Sequence, residues 1–136
     1  MSRVLLADTG PLYAVIDRSD EHHQRALDEF EAIMNVGLTL TVIVPVVQET
    51  HRLLLQRIGL HVASPWLQEI NAATVIVATN LDDYWQACLR LHQYPDQRIS
   101  LGDGLLAVVS QRLNSPVWTY DHHFDTLGAE RWYPGV

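Results

Sequence analysis

The sequence predicts an α/β fold: a three-layer α/β/α domain around a central parallel sheet of four to five strands. Two observations carry that expectation. Short apolar runs rich in β-branched residues alternate along the chain with longer segments of helical periodicity, the pattern of strand–helix–strand crossovers. The first of those runs is apolar on successive residues rather than on alternate ones, as expected for a strand covered by helices on both faces. A length of 136 residues is that of a single domain, 1–136, able to bury a substantial core.

Residues 4–7 (VLLA) read as the first strand, and Pro11 beyond it suits the first turn of a helix. Ser19 and Asp20 offer N-caps for a helix over about 21–34, with Ala26, Leu27, Phe30 and Ile33 along its apolar stripe and Gly37 at its end. Residues 38–44 (LTLTVIV) form the second strand. Pro45 opens a helix that runs to about residue 58 and stops at Gly59. A helix over 61–73, with Pro65 near its start, precedes a third strand at 74–78. Residues 80–94 form an amphipathic helix carrying Trp85, Leu89 and His92. A polar loop, PDQRIS, then leads to a helix over 101–113. Residues 116–120 (PVWTY) make the fourth strand, and 130–133 a short fifth.

Composition narrows the function classes. The formal charge of −7 argues against a broad basic face for nucleic acid. All nine basic residues are arginine, which removes Schiff-base chemistry and a P-loop lysine. One cysteine, Cys88, excludes an intrachain disulfide framework and fits a reducing cytoplasm. No charged-then-apolar leader or long apolar run is present, so neither a signal peptide nor a membrane span is expected.

Four acids stand where acids are unusual. Asp8 ends the first strand in LLADTGP, and Asp121 ends the fourth in VWTYDHHFD. Glu49, in VPVVQETHRLL, has Val46 at i−3 and Leu53 at i+4, which puts it on or beside an apolar stripe. Asp103, in SLGDGLLAVV, has the spacing of a capping box with Ser100 and lies on the face of Leu106 and Ala107, with Gly102 and Gly104 giving room on either side. Each acid alone has an ordinary explanation as a cap, a loop residue or a snorkelling side chain. Together, two strand ends and two inward-facing helix starts meet at one rim of an α/β sheet, where ligands bind. Carboxylates crowded in one pocket repel, and without lysine a divalent cation is their natural partner. Hard oxygen ligands select Mg²⁺ or Mn²⁺, which activate water toward a phosphoryl centre.

ADTGPL, VVQETHRLL, SLGDGLLAVVSQ and TYDHHFD, taken in this order and spacing, resemble the four acidic motifs of PIN-domain ribonucleases across essentially the whole chain. The nearest group is similar to the VapC-type toxins of bacterial toxin–antitoxin pairs. The resemblance implies a Mg²⁺- or Mn²⁺-dependent endoribonuclease that works by metal-activated water. Asp8, Glu49, Asp103 and Asp121 would hold the metal directly or through water. Thr9 and Thr119 would be supporting polar groups, and Asp96, seven residues before the third acid, or Asp125 would be supporting acids. The resemblance further implies a homodimer and a partner antitoxin. Gly104 stands where many relatives carry Ala. Arg52, Arg57 and Arg98 are candidates for phosphate contacts, with solvated surface as the equal alternative for each.

Other chemistries fit less well. The pairs His22–His23 and His122–His123 are sequence neighbours whose side chains are expected to point apart, which disfavours a shared metal. No G-x-S-x-G elbow or Gly-rich phosphate loop occurs, and a receiver domain would need a lysine. Two rival readings keep the fold: a non-catalytic PIN-like module that binds RNA or protein, and a housekeeping RNA-processing nuclease. The presence of all four acids argues against the first. A short antitoxin reading frame beside the gene would separate a toxin from the second. The tail WYPGV has the aromatic character of an interface.

Overall fold

A computed structural model describes residues 3–135. Four parallel strands, β1 (Val4–Ala7), β2 (Thr39–Ile43), β3 (Val75–Val77) and β4 (Val117–Trp118), form one sheet in the order β3-β2-β1-β4. Registers pair Leu5 with Leu40, Val42 with Ile76, and Leu6 with Val117. β1 is the inner strand between β2 and β4, and its Leu5, Leu6 and Ala7 are fully buried. That explains its continuous apolar run, since a strand covered on both faces has no solvent side to mark with polar residues.

The helices are α1 (Thr9–Ile16), α2 (His23–Asn35), α3 (Val44–Arg57), α4 (Leu60–Ala73), α5 (Leu81–His92), α6 (Leu101–Leu113) and the single turn α7 (His123–Thr126). Their limits follow local chemistry. Pro45 lies in the first turn of α3, and Gly59, at φ 140°, separates α3 from α4 in a conformation that a side chain would strain. Ser100 and Asp103 form the expected capping box of α6, which ends on Asn114 in the left-handed region. Among the described residues no helix is long and apolar enough to cross a membrane.

Several expectations need correction. α2 begins at His23, so Ser19 and Asp20 do not cap it; they lie in turns pinned by the Asp17 and Asp20 carboxylates. Leu27 is exposed on α2, and Glu29 is buried in its place. Pro65 falls in the second turn of α4, where it removes one internal hydrogen bond. The fifth strand reduces to a single parallel bridge between Val117 and Arg131. His122 and His123 do not point apart, their rings standing 4.6 Å from each other. In the tail, Trp132 packs against the core and Tyr133 is exposed.

α5 departs most. Trp85 and Leu89, the apolar residues of its amphipathic pattern, are 57% and 58% exposed. The helix instead turns Asp83 and Ala87 inward. Asp83 is fully enclosed and receives both Nε (3.1 Å) and Nη2 (2.9 Å) of Arg112 on α6, while closing the α5 capping box with Asn80. A bidentate pair of this kind satisfies a buried carboxylate and locks two helices in one orientation. Below it the helices approach closely. A Cβ on Gly104 would stand 3.4 Å from that of Ala87, so the alanine many relatives carry would be in contact there.

Replacing Arg112 with Met should therefore cost about 2 kcal/mol, the scale for a charged hydrogen-bonding partner removed from a buried group. Denaturant unfolding would measure it. Adding Asp83→Asn should recover part of the loss, because a buried amide is cheaper to leave unpaired than a carboxylate.

Candidate active site

All four strands are parallel, so their carboxyl ends share one edge, and the chain leaves each strand there. Asp8 follows β1 and N-caps α1, Asp121 follows β4, Glu49 lies in the second turn of α3 straight after β2, and Asp103 lies in the first turn of α6. These four acids line one open cleft of about 840 Å³, together with Thr9, Gly10 and Arg52 among others. A second cavity of about 680 Å³ opens at the other end of the sheet, beside Val4, Leu38 and Pro116, and has no acid in its lining.

Asp8 is the buried member of the set. Its Oδ1 accepts the Thr9 N–H at 2.8 Å, and its Oδ2 accepts the Thr119 hydroxyl at 2.8 Å. The same Thr119 oxygen accepts the Asp121 N–H at 3.0 Å, so one hydroxyl ties the ends of β1 and β4 together. Asp121 is then fixed by the His123 N–H, donated to its Oδ1 at 2.9 Å, and by the His123 ring, with Nδ1 3.1 Å away. Asp103 is held by Ser100, whose N–H reaches its Oδ2 at 3.3 Å. Glu49 stands at the rim, 46% exposed, in a forked pair with Arg52 at 2.6 and 3.2 Å.

The charges load one another. Burial, opposed by the Thr119 bond and reinforced by Asp103 and Asp121, pushes the Asp8 carboxyl up to about 7. Asp103 is raised as well, by burial first and by Asp121 second. Three carboxyl groups thus share a field that favours a proton or a cation. Among the described residues no three Asp, Glu, His or Cys side chains are placed together so as to hold a metal ion by themselves. An all-oxygen set that supplies few direct ligands has the donor chemistry of a hard divalent ion that keeps most of its water.

Other expected site residues lie elsewhere. Asp96 is exposed in the loop before α6 and does not line the cleft. Asp125 pairs through both oxygens with Arg131, outside the cleft lining. Arg57 lies over the Tyr13 ring at 5.1 Å, and Arg98 is exposed; neither reaches the cleft. Of the three candidate arginines, Arg52 alone lines it.

Glu29 was not expected. It is buried on α2, and its Oε1 accepts both the Trp118 indole N–H (3.2 Å) and the Tyr120 hydroxyl (2.6 Å). Side chains alternate along a strand. Trp118 and Tyr120 thus anchor the β4 end on Glu29, Tyr120 also forming part of the cleft wall, while Thr119 and Asp121 stand beside Asp8 in the acid cluster. An acid amid the apolar positions of α2 was the available signal.

The raised Asp8 value has a sign that can be tested. It lies above the ordinary 3.8, so the folded chain binds this proton more tightly than the unfolded chain does. The group's contribution to stability is complete below about pH 4 and is lost as pH rises through 7, a swing of roughly 4 kcal/mol at most. Asp8→Asn in metal-free buffer should remain folded, melt higher than wild type at pH 7.5, and lose most of this pH dependence. Thermal melts of both proteins between pH 4 and 8 measure it.

Comparison with known proteins places this geometry. The PIN domain family profile matches residues 5–130. Among solved structures, VapC20 of Mycobacterium tuberculosis, described as a toxin that cleaves the sarcin–ricin loop, superposes with a TM-score of 0.82 at 19% identity, covering 96% of this chain and 99% of that one. VapBC2 from Rickettsia felis, bound to a DNA fragment from its promoter, gives 0.73 at 14% identity over 94% and 96%. FitAcB from Neisseria gonorrhoeae gives 0.66 at 13% over 96% and 97%. None of the curated proteins compared matches the chain in sequence. Asp8, Glu49, Asp103 and Asp121 all fall inside the matched region, and the chain belongs to the PIN domain family.

Proposed function

We propose that this protein is a divalent-cation-dependent endoribonuclease, acting in the cytoplasm as the toxin of a toxin–antitoxin pair. The observation that carries the reading is the convergence of four acids, from two strand ends and two helices, on one cleft at the carboxyl edge of a parallel sheet. Membership of the PIN domain family and the fold shared with VapC20 support it.

Asp8, Asp103 and Asp121 would hold a Mg²⁺ or Mn²⁺ ion directly or through water, with Glu49 contributing from the facing helix. The bound ion would polarise a phosphoryl oxygen and lower the pKa of water for attack on the phosphodiester. The chain's residues prepare that chemistry. Thr119 and Thr9 hold the Asp8 carboxylate to one orientation, and the capping box does the same for Asp103. With its pKa raised to about 7, the Asp8 carboxyl is about half protonated near neutral pH, and a cation in the cleft would displace that proton, so occupancy would rise with pH. Arg52, held by Glu49, is the cation within the cleft lining that is placed to meet an incoming phosphate. A covalent enzyme intermediate is not needed, because the acids act by holding and orienting.

The partners in this reading are RNA, a cognate antitoxin and a second copy of the chain. The toxin fold of VapC20 supports the antitoxin. The exposed stripe of Leu81, Trp85 and Leu89 on α5 supports the homodimer, since apolar surface of this kind marks an interface.

Purified protein should cut a structured RNA pool with Mg²⁺ or Mn²⁺ and not with EDTA, and Asp103→Asn should reduce the rate at least 100-fold. Cutting that survives EDTA, cutting by Asp103→Asn at the wild-type rate, or no cutting by antitoxin-free protein would overturn the reading.

A further inference from the structure

A chain of charge −7 that admits a polyanion to an acid-lined cleft needs a fixed cation along the strand's path. Arg52 is already engaged by Glu49 and Gln56. Arg25, at the start of α2, is placed differently. Its guanidinium lies 4.1 Å from the centre of the Tyr120 ring, and Tyr120 is part of the cleft wall beside Asp121. The ring cannot swing away. Its hydroxyl is bonded to buried Glu29, His22 packs on it at 4.9 Å, and Gly10 stands along its edge.

Glu29 pairs with one edge of the Arg25 guanidinium only, through Nε. Its Oε1 accepts from Trp118 and Tyr120, and its Oε2 accepts the Arg25 Nε at 3.4 Å. The Arg25 side chain is 47% exposed, and among the described residues its Nη1 and Nη2 have no hydrogen-bond partner. A planar cation held against an aromatic ring with two N–H edges toward solvent has lost much of its rotamer freedom before any ligand arrives.

We propose that Arg25, which lies outside the cleft lining on the ring of Tyr120, a residue of the cleft wall, binds a backbone phosphate of single-stranded RNA flanking the one that is cut. The contact positions the strand and reads no base. Tyr120 and Glu29 are positioning residues that act through Arg25. The inference rests on the ribonuclease reading of the cleft, and it replaces Arg57 and Arg98 as the arginines outside the cleft that meet substrate.

Binding and cleavage together test it. A labelled single-stranded oligoribonucleotide is titrated by fluorescence anisotropy, in Mn²⁺, against the full chain carrying Asp8→Asn so that the strand survives. In that background Arg25→Gln should weaken binding about tenfold. It should also reduce the slope of log affinity against log salt by about 0.7, the value for one phosphate contact on a single strand. Arg25→Lys should restore most of the affinity, and circular dichroism should show all variants folded. In the cleaving enzyme, Arg25→Gln should raise KM about tenfold with kcat within twofold of wild type. Unchanged affinity and salt slope in Arg25→Gln, or no binding to the Asp8→Asn chain, would overturn the proposal. Arg25-dependent binding by a protein that never cuts RNA would uphold the phosphate site and remove the nuclease reading instead.

Discussion

Burial of one carboxyl group beside two others is the constraint on which this structure turns. Asp8 ends β1, an inner strand of the sheet, where burial first and the nearby Asp103 and Asp121 next raise its affinity for a proton. A fold that only needed an N-cap for α1 could use Ser or Asn at that position at no electrostatic cost. Here the cap is an acid enclosed with two others, and much of the neighbouring hydrogen bonding serves to keep the three in place. The Thr119 hydroxyl bridges Asp8 and the backbone of Asp121, the Ser100 capping box orients Asp103, and the His123 N–H fixes Asp121. In each case the contact that completes a helix or a turn is also the contact that holds a carboxylate toward the cleft.

The parallel sheet explains why residues 8, 49, 103 and 121 meet at all. Because the strands are parallel, the chain leaves each of them at the same edge of the sheet. Acids placed just after β1 and β4, and early in the helices that follow β2 and the polar loop, are then gathered at one edge without any long-range sequence signal between them. Once there, local field matters more than net charge: a cation bound among the acids would reverse the potential that a substrate phosphate meets.

What was legible in the sequence was what local chemistry decides. The inner strand, the Gly59 break, the capping box of Ser100 and Asp103 and the limits of α6 all rest on neighbours within a few residues. What was not legible rests on partners far away. The spacing of Trp85, Leu89 and His92 shows a stripe on α5 but not which side of the helix meets the protein. Arg112, 29 residues on, decides that by pairing with Asp83. Glu29 is buried because Trp118 and Tyr120, 89 and 91 residues later, donate to it. Asp96 is implied by the resemblance, and Arg57 and Arg98 by nearness in sequence to the acidic motifs. Asp96 and Arg98 stay exposed in the loop before α6, and Arg57 lies a helix length from Pro45, against Tyr13.

The most direct test of this account is a carbon-detected NMR titration of the Asp8 carboxyl, with and without Mg²⁺. The account predicts an apparent pKa near 7 in the metal-free protein and a fall of more than one unit when Mg²⁺ is added. An Asp8 that titrates near 4 in both conditions would contradict it, because the carboxyl would then be an ordinary helix cap and neither loaded by its neighbours nor relieved by a cation.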